Sequence, residues 1–399
     1  MEDKLVIFVV ALIVFLYGLF SKKLESFNIS GPMIFLLFGV LLSPLGLNLL
    51  DIPLSSDAVE SIAEIALIIV LFTDSSQLKL KEFKKEWRIS ARLLYIGLPL
   101  TIVFSTYIAT LFFPEEPFLY LLVMALILAP TDAALGKAVV TDTLVPQKIR
   151  SSINVESGLN DGIVFPLLIT VILYSSCHED LQAGYGWVLY VFEQISLGFI
   201  VGAVMGYIGA KVLTRAVKKV WIKEIYQNLA PVALAILTFF TAEFFGGNGF
   251  IGAFVAGAFF GNFSKLITTN TETFLESEGE VLILISFLVF GLSFVPVMVS
   301  FLDVTVIVYS LLSLTFFRMI PVTLSLTGLG LSFGSKLFIA WFGPRGIASI
   351  LYVMIVAHKI EIVDVSERLF SVITLTILLS ILLHGLSAKP LVNLYAKKF

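Results

Sequence analysis

The sequence predicts an all-α integral membrane protein with about 13 transmembrane helices. Three observations predict it. Hydrophobic residues make up 58% of the 399 positions and charged residues only 14%, where a soluble domain carries about 25% charged residues. Apolar runs long enough to cross a bilayer as helices recur along the chain. Basic residues collect in alternate connecting segments, as they do when such segments face the cytoplasm. A transmembrane barrel is excluded, because its strands run about 9–11 residues with alternating polarity. The net charge of -3 carries little information, since placement matters more than the sum. Cys177 is the only cysteine, which excludes an intramolecular disulfide, a redox pair and a cysteine zinc cage. His178, His358 and His384 are scattered, so no histidine metal cluster is visible.

The spans follow in order. The first covers 5–20; M-E-D-K precedes it and Lys22 and Lys23 follow it, the reverse of a signal peptide, so it reads as a membrane helix. The second covers 29–50 and the third 58–72, with Asp74, Ser75 and Ser76 ending it before a basic loop at 79–92. The fourth covers 93–113 and stops at Pro114. The fifth covers 118–143 and is broken near Pro130. The sixth covers 151–175, the seventh 187–212, the eighth 227–245 and the ninth 250–263. Glu243 reads as a rim residue beside Gly246 and Gly247. The tenth covers 279–295, the eleventh 304–327, the twelfth 336–357 and the thirteenth 368–394. The twelfth is interrupted at Gly343-Pro344-Arg345-Gly346. With this count the basic clusters alternate cleanly, which places the N-terminus outside and the C-terminus in the cytoplasm.

Apart from the basic residues counted with the loops and span ends, three lie inside spans: Lys137, Arg318 and Arg345. Lys137 reads as a snorkelling residue near a membrane face. His384 reads as a packing histidine. Three acidic residues, Asp132, Glu156 and Asp161, lie between long apolar runs, with Thr131, Ser157 and Asn160 beside them. Charge at bilayer depth costs about 2.5 to 3.5 kcal/mol per residue on insertion scales, so these are functional candidates. The two interrupted spans are fifth in spans 1–6 and fifth in spans 8–13, two halves of opposite orientation joined by span 7. Matched breaks in inverted halves point to a transporter site at mid-membrane. Glu156 and Asn160 are four residues apart, as are Ser157 and Asp161, so the four share one broad helical face. Oxygen groups of this kind suit a hard monovalent cation.

Five motifs stand in a fixed order: P-T-D at 130–132, E-S-G-L-N-D-G at 156–162, G-N-G-F-I-G-A-F-V-A-G at 247–257, F-F-R at 316–318 and G-P-R-G at 343–346. In these the chain resembles the monovalent cation:proton antiporter-1 family, the NhaP and sodium/proton exchanger group, over essentially its whole length. The resemblance implies a NhaA-like antiporter fold: two inverted six-helix repeats with crossed broken helices 5 and 12. It implies that Asp161 alternately holds a cation or a proton, with Ser157, Thr131 and Glu156 as ligands or near-ligands of Na+ or Li+. Asp132 would shape the crossing, Arg318 would pair with Glu156, and Arg345 would sit at the second break beside Gly343 and Pro344. Physical reasoning agrees on the pair, since an unpaired buried charge costs far more than a paired one. Burial disfavours a charged carboxylate and a bound cation restores it, so proton and cation would compete for one site. Relatives with Asn-Asp at the position of Asn160 and Asp161 tend to be electroneutral, which implies one cation per proton.

The resemblance further implies a core of about 89–176 and 302–399, and a scaffold of about 1–78 and 187–297 that forms a homodimer in the cell membrane. The expected partners are Na+ or Li+, H+ and membrane lipid, with no nucleic acid. Potassium/proton exchange is the alternative substrate reading. A cation channel or ion sensor on the same fold is the alternative class, but a channel wants several weak sites along an open pore. No nucleotide loop or catalytic triad stands out, so neither an enzyme nor a cofactor is expected.

Overall fold

The computed structural model describes residues 2–26, 30–54, 56–78, 87–132, 135, 137–140, 142–176, 185–264, 269–359 and 366–398. Cys177, His178 and most of the basic loop at 79–92 lie outside the described residues, as does the side chain of Lys137. The described residues are helical or irregular, with no strand among them. In chain order the helices are α1 (Glu2–Ser26), α2 (Gly31–Leu42), α3 (Asp57–Ser76), α4 (Trp87–Phe112), α5 (Phe118–Ile127), α6 (Lys137–Val140), α7 (Gln147–Ser176), α8 (Tyr185–Lys218), α9 (Glu224–Phe244), α10 (Gly249–Phe263), α11 (Thr269–Ser300), α12 (Val304–Leu314), α13 (Phe316–Ser325), α14 (Phe333–Trp341), α15 (Ile347–Lys359) and α16 (Glu367–Lys398). Seven helices of the described residues are long and apolar enough to cross a membrane. Shorter apolar helices include α2, α5, α10 and Ile347–His358 within α15.

Three elements differ from the sequence reading. The second span stops at Leu42 rather than 50, because Ser43 precedes Pro44 and takes an extended conformation (φ -68°, ψ 172°). The eleventh span is divided at Thr315 (φ -104°, ψ -89°), whose hydroxyl bonds back to Leu311 O at 2.8 Å. Such back-bonding bends helices, and Pro321 a turn and a half later removes a further amide from the ladder. In the fifth span, the only helix described after the break is the four-residue α6. The other interruptions fall where expected. Pro130 disfavours helical geometry at Ala129, and α5 ends at Ile127; Pro344 acts likewise on Gly343 after α14. Asp74, Ser75 and Ser76 do close α3, with the Ser75 and Ser76 hydroxyls turned back to the carbonyls of Phe72 and Thr73. Glu243 is exposed, and its carboxylate accepts the Gly249 amide at 2.7 Å at the start of α10.

The chain forms two compact units. The first holds Met1–Ala63, Arg88–Ser157 and Ile283–Phe399; the second holds Glu64–Trp87 and Gly158–Leu282. In the second unit, Gly198, Gly202 and Gly206 recur every fourth residue on α8. A side chain at any of them would strike the backbone of Asn248, Gly252 or Ala256 on α10. This is the small-residue packing that lets membrane helices approach closely where no hydrophobic force draws them together. Phe250 adds edge-on ring contacts to Phe165 and Phe239 at 4.7 and 4.8 Å. In the first unit, Gly39 and Gly291 play the same part between α2 and α11. Tyr309 of α12 donates to Ser105 O at 3.1 Å and packs on Phe113 and Phe317.

Candidate functional site

The two broken spans meet backbone to backbone in the first unit. Asp132 N–H donates to Pro344 O at 2.8 Å. The Asp132 carboxylate accepts Ile347 N–H at 2.9 Å and Leu135 N–H at 3.3 Å. It therefore caps the N-terminus of α15, where the unsatisfied amides and the helix dipole favour an anion. In return, Ser349 of α15 donates its hydroxyl to Ile127 O, the last carbonyl of α5, at 2.7 Å. Each broken span thus satisfies an end of the other.

The C-terminal end of α14 is met by cations and donors, as its negative dipole end requires. Arg318 Nε donates to Ala340 O at 3.2 Å, and Arg345 Nη1 donates to Gly343 O at 2.8 Å. The same Arg318 donates through Nη2 to both oxygens of Glu156, at 2.9 and 3.2 Å. Both residues are buried. Two glycines of the G-P-R-G segment make this possible. A side chain at Gly343 would occupy the Arg318 guanidinium, and one at Gly346 would occupy the Asp132 carboxylate.

α7 supplies the remaining groups. Its Ser157 hydroxyl donates to Thr131 O, tying α7 to the first break. One turn further along the same helix come Asn160 and Asp161, both buried. The structure therefore joins Thr131 to Ser157, Asp132 to the Pro344–Ile347 segment, and Glu156 to Arg318. Pro130 ends the first half-span, and Arg345 is held against its own loop. Asn160 and Asp161 belong to the second unit.

Sequence reasoning missed the second layer. His384 is a buried packing histidine, as read, but Ser380, His384 and Ser387 of α16 all bond to the α14–α15 break. Their spacing of four and three residues in an apolar span was the available signal. Ser349 left no comparable mark.

Interrupted helices that meet beside buried charge are an arrangement found in secondary transporters. The chain belongs to the sodium/hydrogen exchanger transmembrane family, whose model matches residues 8–394. It is 28% identical over 314 residues to a Na(+)/H(+) antiporter of Schizosaccharomyces pombe, covering 70% of this chain and 66% of that protein. It is 25% identical over 386 residues to the K(+)/H(+) antiporter NhaP of Alkalimonas amylolytica, covering 95% of this chain and 65% of that protein. The chain thus spans slightly under two thirds of the length of these relatives. Its fold matches the sodium proton antiporter MjNhaP1 of Methanocaldococcus jannaschii with a TM-score of 0.79 at 20% identity, over 100% of both chains.

Proposed function

We propose that this chain exchanges sodium or lithium for protons, one for one, at Asp161. Thr131, Ser157 and Glu156 contribute oxygen to the cation, and Asn160 supports the crossing. The observation that carries this is the Glu156–Arg318 pair. It commits the Glu156 carboxylate to the Arg318 guanidinium, so the reading assigns proton uptake to Asp161, the other buried carboxylate of α7. A proton and a cation would bind the same carboxylate oxygens, so each displaces the other. If the empty charged site crosses poorly, each inward step of one ion is matched by an outward step of the other. Family membership and the fold support the reading.

The working arrangement follows. About 13 spans form two inverted repeats, with the N-terminus outside. A core of 89–176 and 302–399 moves against a scaffold of 1–78 and 187–297, and the scaffold pairs two copies in the cell membrane. Potassium is the second reading, favoured by the Alkalimonas relative's name and by the 95% of this chain that it covers.

The test is reconstitution into proteoliposomes with an internal pH dye. Sodium, lithium or potassium added outside acid-loaded vesicles should collapse the gradient, and the ion preferred identifies the substrate. Asp161→Asn should abolish the response; normal exchange by that variant sinks the mechanism. Imposing a membrane potential should leave the rate unchanged, and strong voltage dependence would exclude one-for-one exchange.

A further inference from the structure

We propose that Ser380, His384 and Ser387 are positioning residues: one face of α16 clamps the broken α14–α15 segment and so holds Arg318 aligned on Glu156. The proposal rests on the exchange reading above and names residues outside its ligand set.

A broken helix leaves backbone groups without intrahelical partners, and α16 meets several of them. Arg345 N–H, in the break, donates to Ser380 Oγ at 2.6 Å. His384 Nε2 lies 2.9 Å from Trp341 O, the last carbonyl of α14. A carbonyl only accepts, so this contact is a hydrogen bond in the tautomer that carries the ring proton on Nε2. In that tautomer Nδ1 accepts the Ser380 hydroxyl at 3.2 Å, which links the two contacts into one chain, while the Ser380 carbonyl at 3.0 Å is a close neighbour and not a bond. The Trp341 ring lies on the His384 imidazole with centroids 4.9 Å apart, and its Nε1–H donates to Ser387 Oγ at 3.0 Å.

Polar residues in an apolar helix usually satisfy themselves on the carbonyl four residues back. Two others on α16 do so: Ser371 bonds to Glu367 O at 2.9 Å and Thr376 to Val372 O at 2.7 Å. Ser380 and Ser387 bond off the helix, to the break and to the end of α14, and His384 adds an off-helix contact to Trp341 O beside its contact with Ser380 on its own helix. The consequence passes along consecutive carbonyls. Trp341 O is held by His384, and the preceding Ala340 O accepts Arg318 Nε. That contact sets the plane of the guanidinium whose Nη2 holds Glu156. Loosening the clamp should therefore change cation binding without touching a proposed ligand.

The experiment measures cation-driven proton movement in proteoliposomes against sodium concentration and pH. Outer-shell partners of ion ligands typically weaken binding about 10–100-fold when removed, so His384→Ala should raise the half-saturating sodium concentration about tenfold, with a smaller change in maximal rate. His384→Gln, which keeps an N–H donor near the Trp341 carbonyl, should restore most of the affinity. A merely structural role would lower the yield and the melting temperature but leave half-saturation unchanged in the folded fraction; that result overturns the proposal. Should His384→Ala not fold, Trp341→Phe and Ser387→Ala each delete one bond of the clamp. Raised half-saturation in either supports the proposal, and wild-type values in both overturn it. Abolition by Asp161→Asn beside a normal His384→Ala defeats the clamp alone. Absence of exchange in the wild type defeats the exchange reading and the clamp with it.

Discussion

Arg318 grips Glu156 through a single nitrogen, Nη2, at 2.9 and 3.2 Å from the two carboxylate oxygens, while its Nε remains on the Ala340 carbonyl. One guanidinium thus joins α7, α13 and the end of α14. Removing one partner of a buried pair strands the other charge, at about 3–5 kcal/mol. Glu156→Gln should therefore lower stability strongly, read as the melting temperature of detergent-purified protein. Adding Arg318→Met should return much of the loss, because no buried charge is then left alone. A large fall in cation affinity with unchanged melting would show that Glu156 acts as a ligand alone and braces nothing.

The glycines of the second break make a sharper case. Gly343→Ala places a methyl group on the Arg318 guanidinium, and Gly346→Ala places one on the Asp132 carboxylate. Overpacking costs about 1–3 kcal/mol, and here it displaces the charged groups that hold the crossing. Both variants should lose exchange activity well beyond their loss of folded protein. Gly18→Ala, which meets nothing within 4 Å, is the control and should behave as wild type.

Asp303 offers a pH test outside the spans. Its carboxyl is held below the usual 3.8, first by the Val306 amide, then by its hydrogen bond and charge attraction to Arg368. The bonds measure 2.7 Å to Val306 N and 2.5 Å to Arg368 Nη2. A depressed carboxyl contributes stability that is fully present above the unfolded value and lost as pH falls through the folded one. The melting temperature of Asp303→Asn should lie below wild type at neutral pH. The gap should close only as pH falls below about 3.8. A gap that persists unchanged in strong acid would assign the effect to shape rather than charge.

Packing in the second unit is equally testable. Gly202 lies against the Gly252 backbone. Gly202→Leu should force α8 from α10 and sharply reduce the yield of folded protein, by gel filtration. Val212→Leu, at an exposed position on the same helix, should not.

The spans were legible because hydropathy and Pro or Gly interruption are local properties. An apolar run of sufficient length must be helical in lipid, where every backbone group needs a partner. Pro130 and Pro344 announce their breaks by removing an amide. The division at Thr315 was hidden, since a hydroxyl bending a helix resembles any other threonine in a span. The early end of α2 was hidden in part, because Pro44 lies within an otherwise apolar run. The resemblance named the site residues, but it left the support unread. Which donor meets Trp341 O, and why positions 343 and 346 must be glycine, depends on segments far apart in the chain. Residues 156 and 318 meet across 162 positions. The sequence by itself determined a helical membrane protein with two interrupted spans and buried charge near them. Only the tertiary structure decided how those charges are shared. A buried charge takes the partner that packing brings within reach, and packing is a property of the whole fold rather than of any one span.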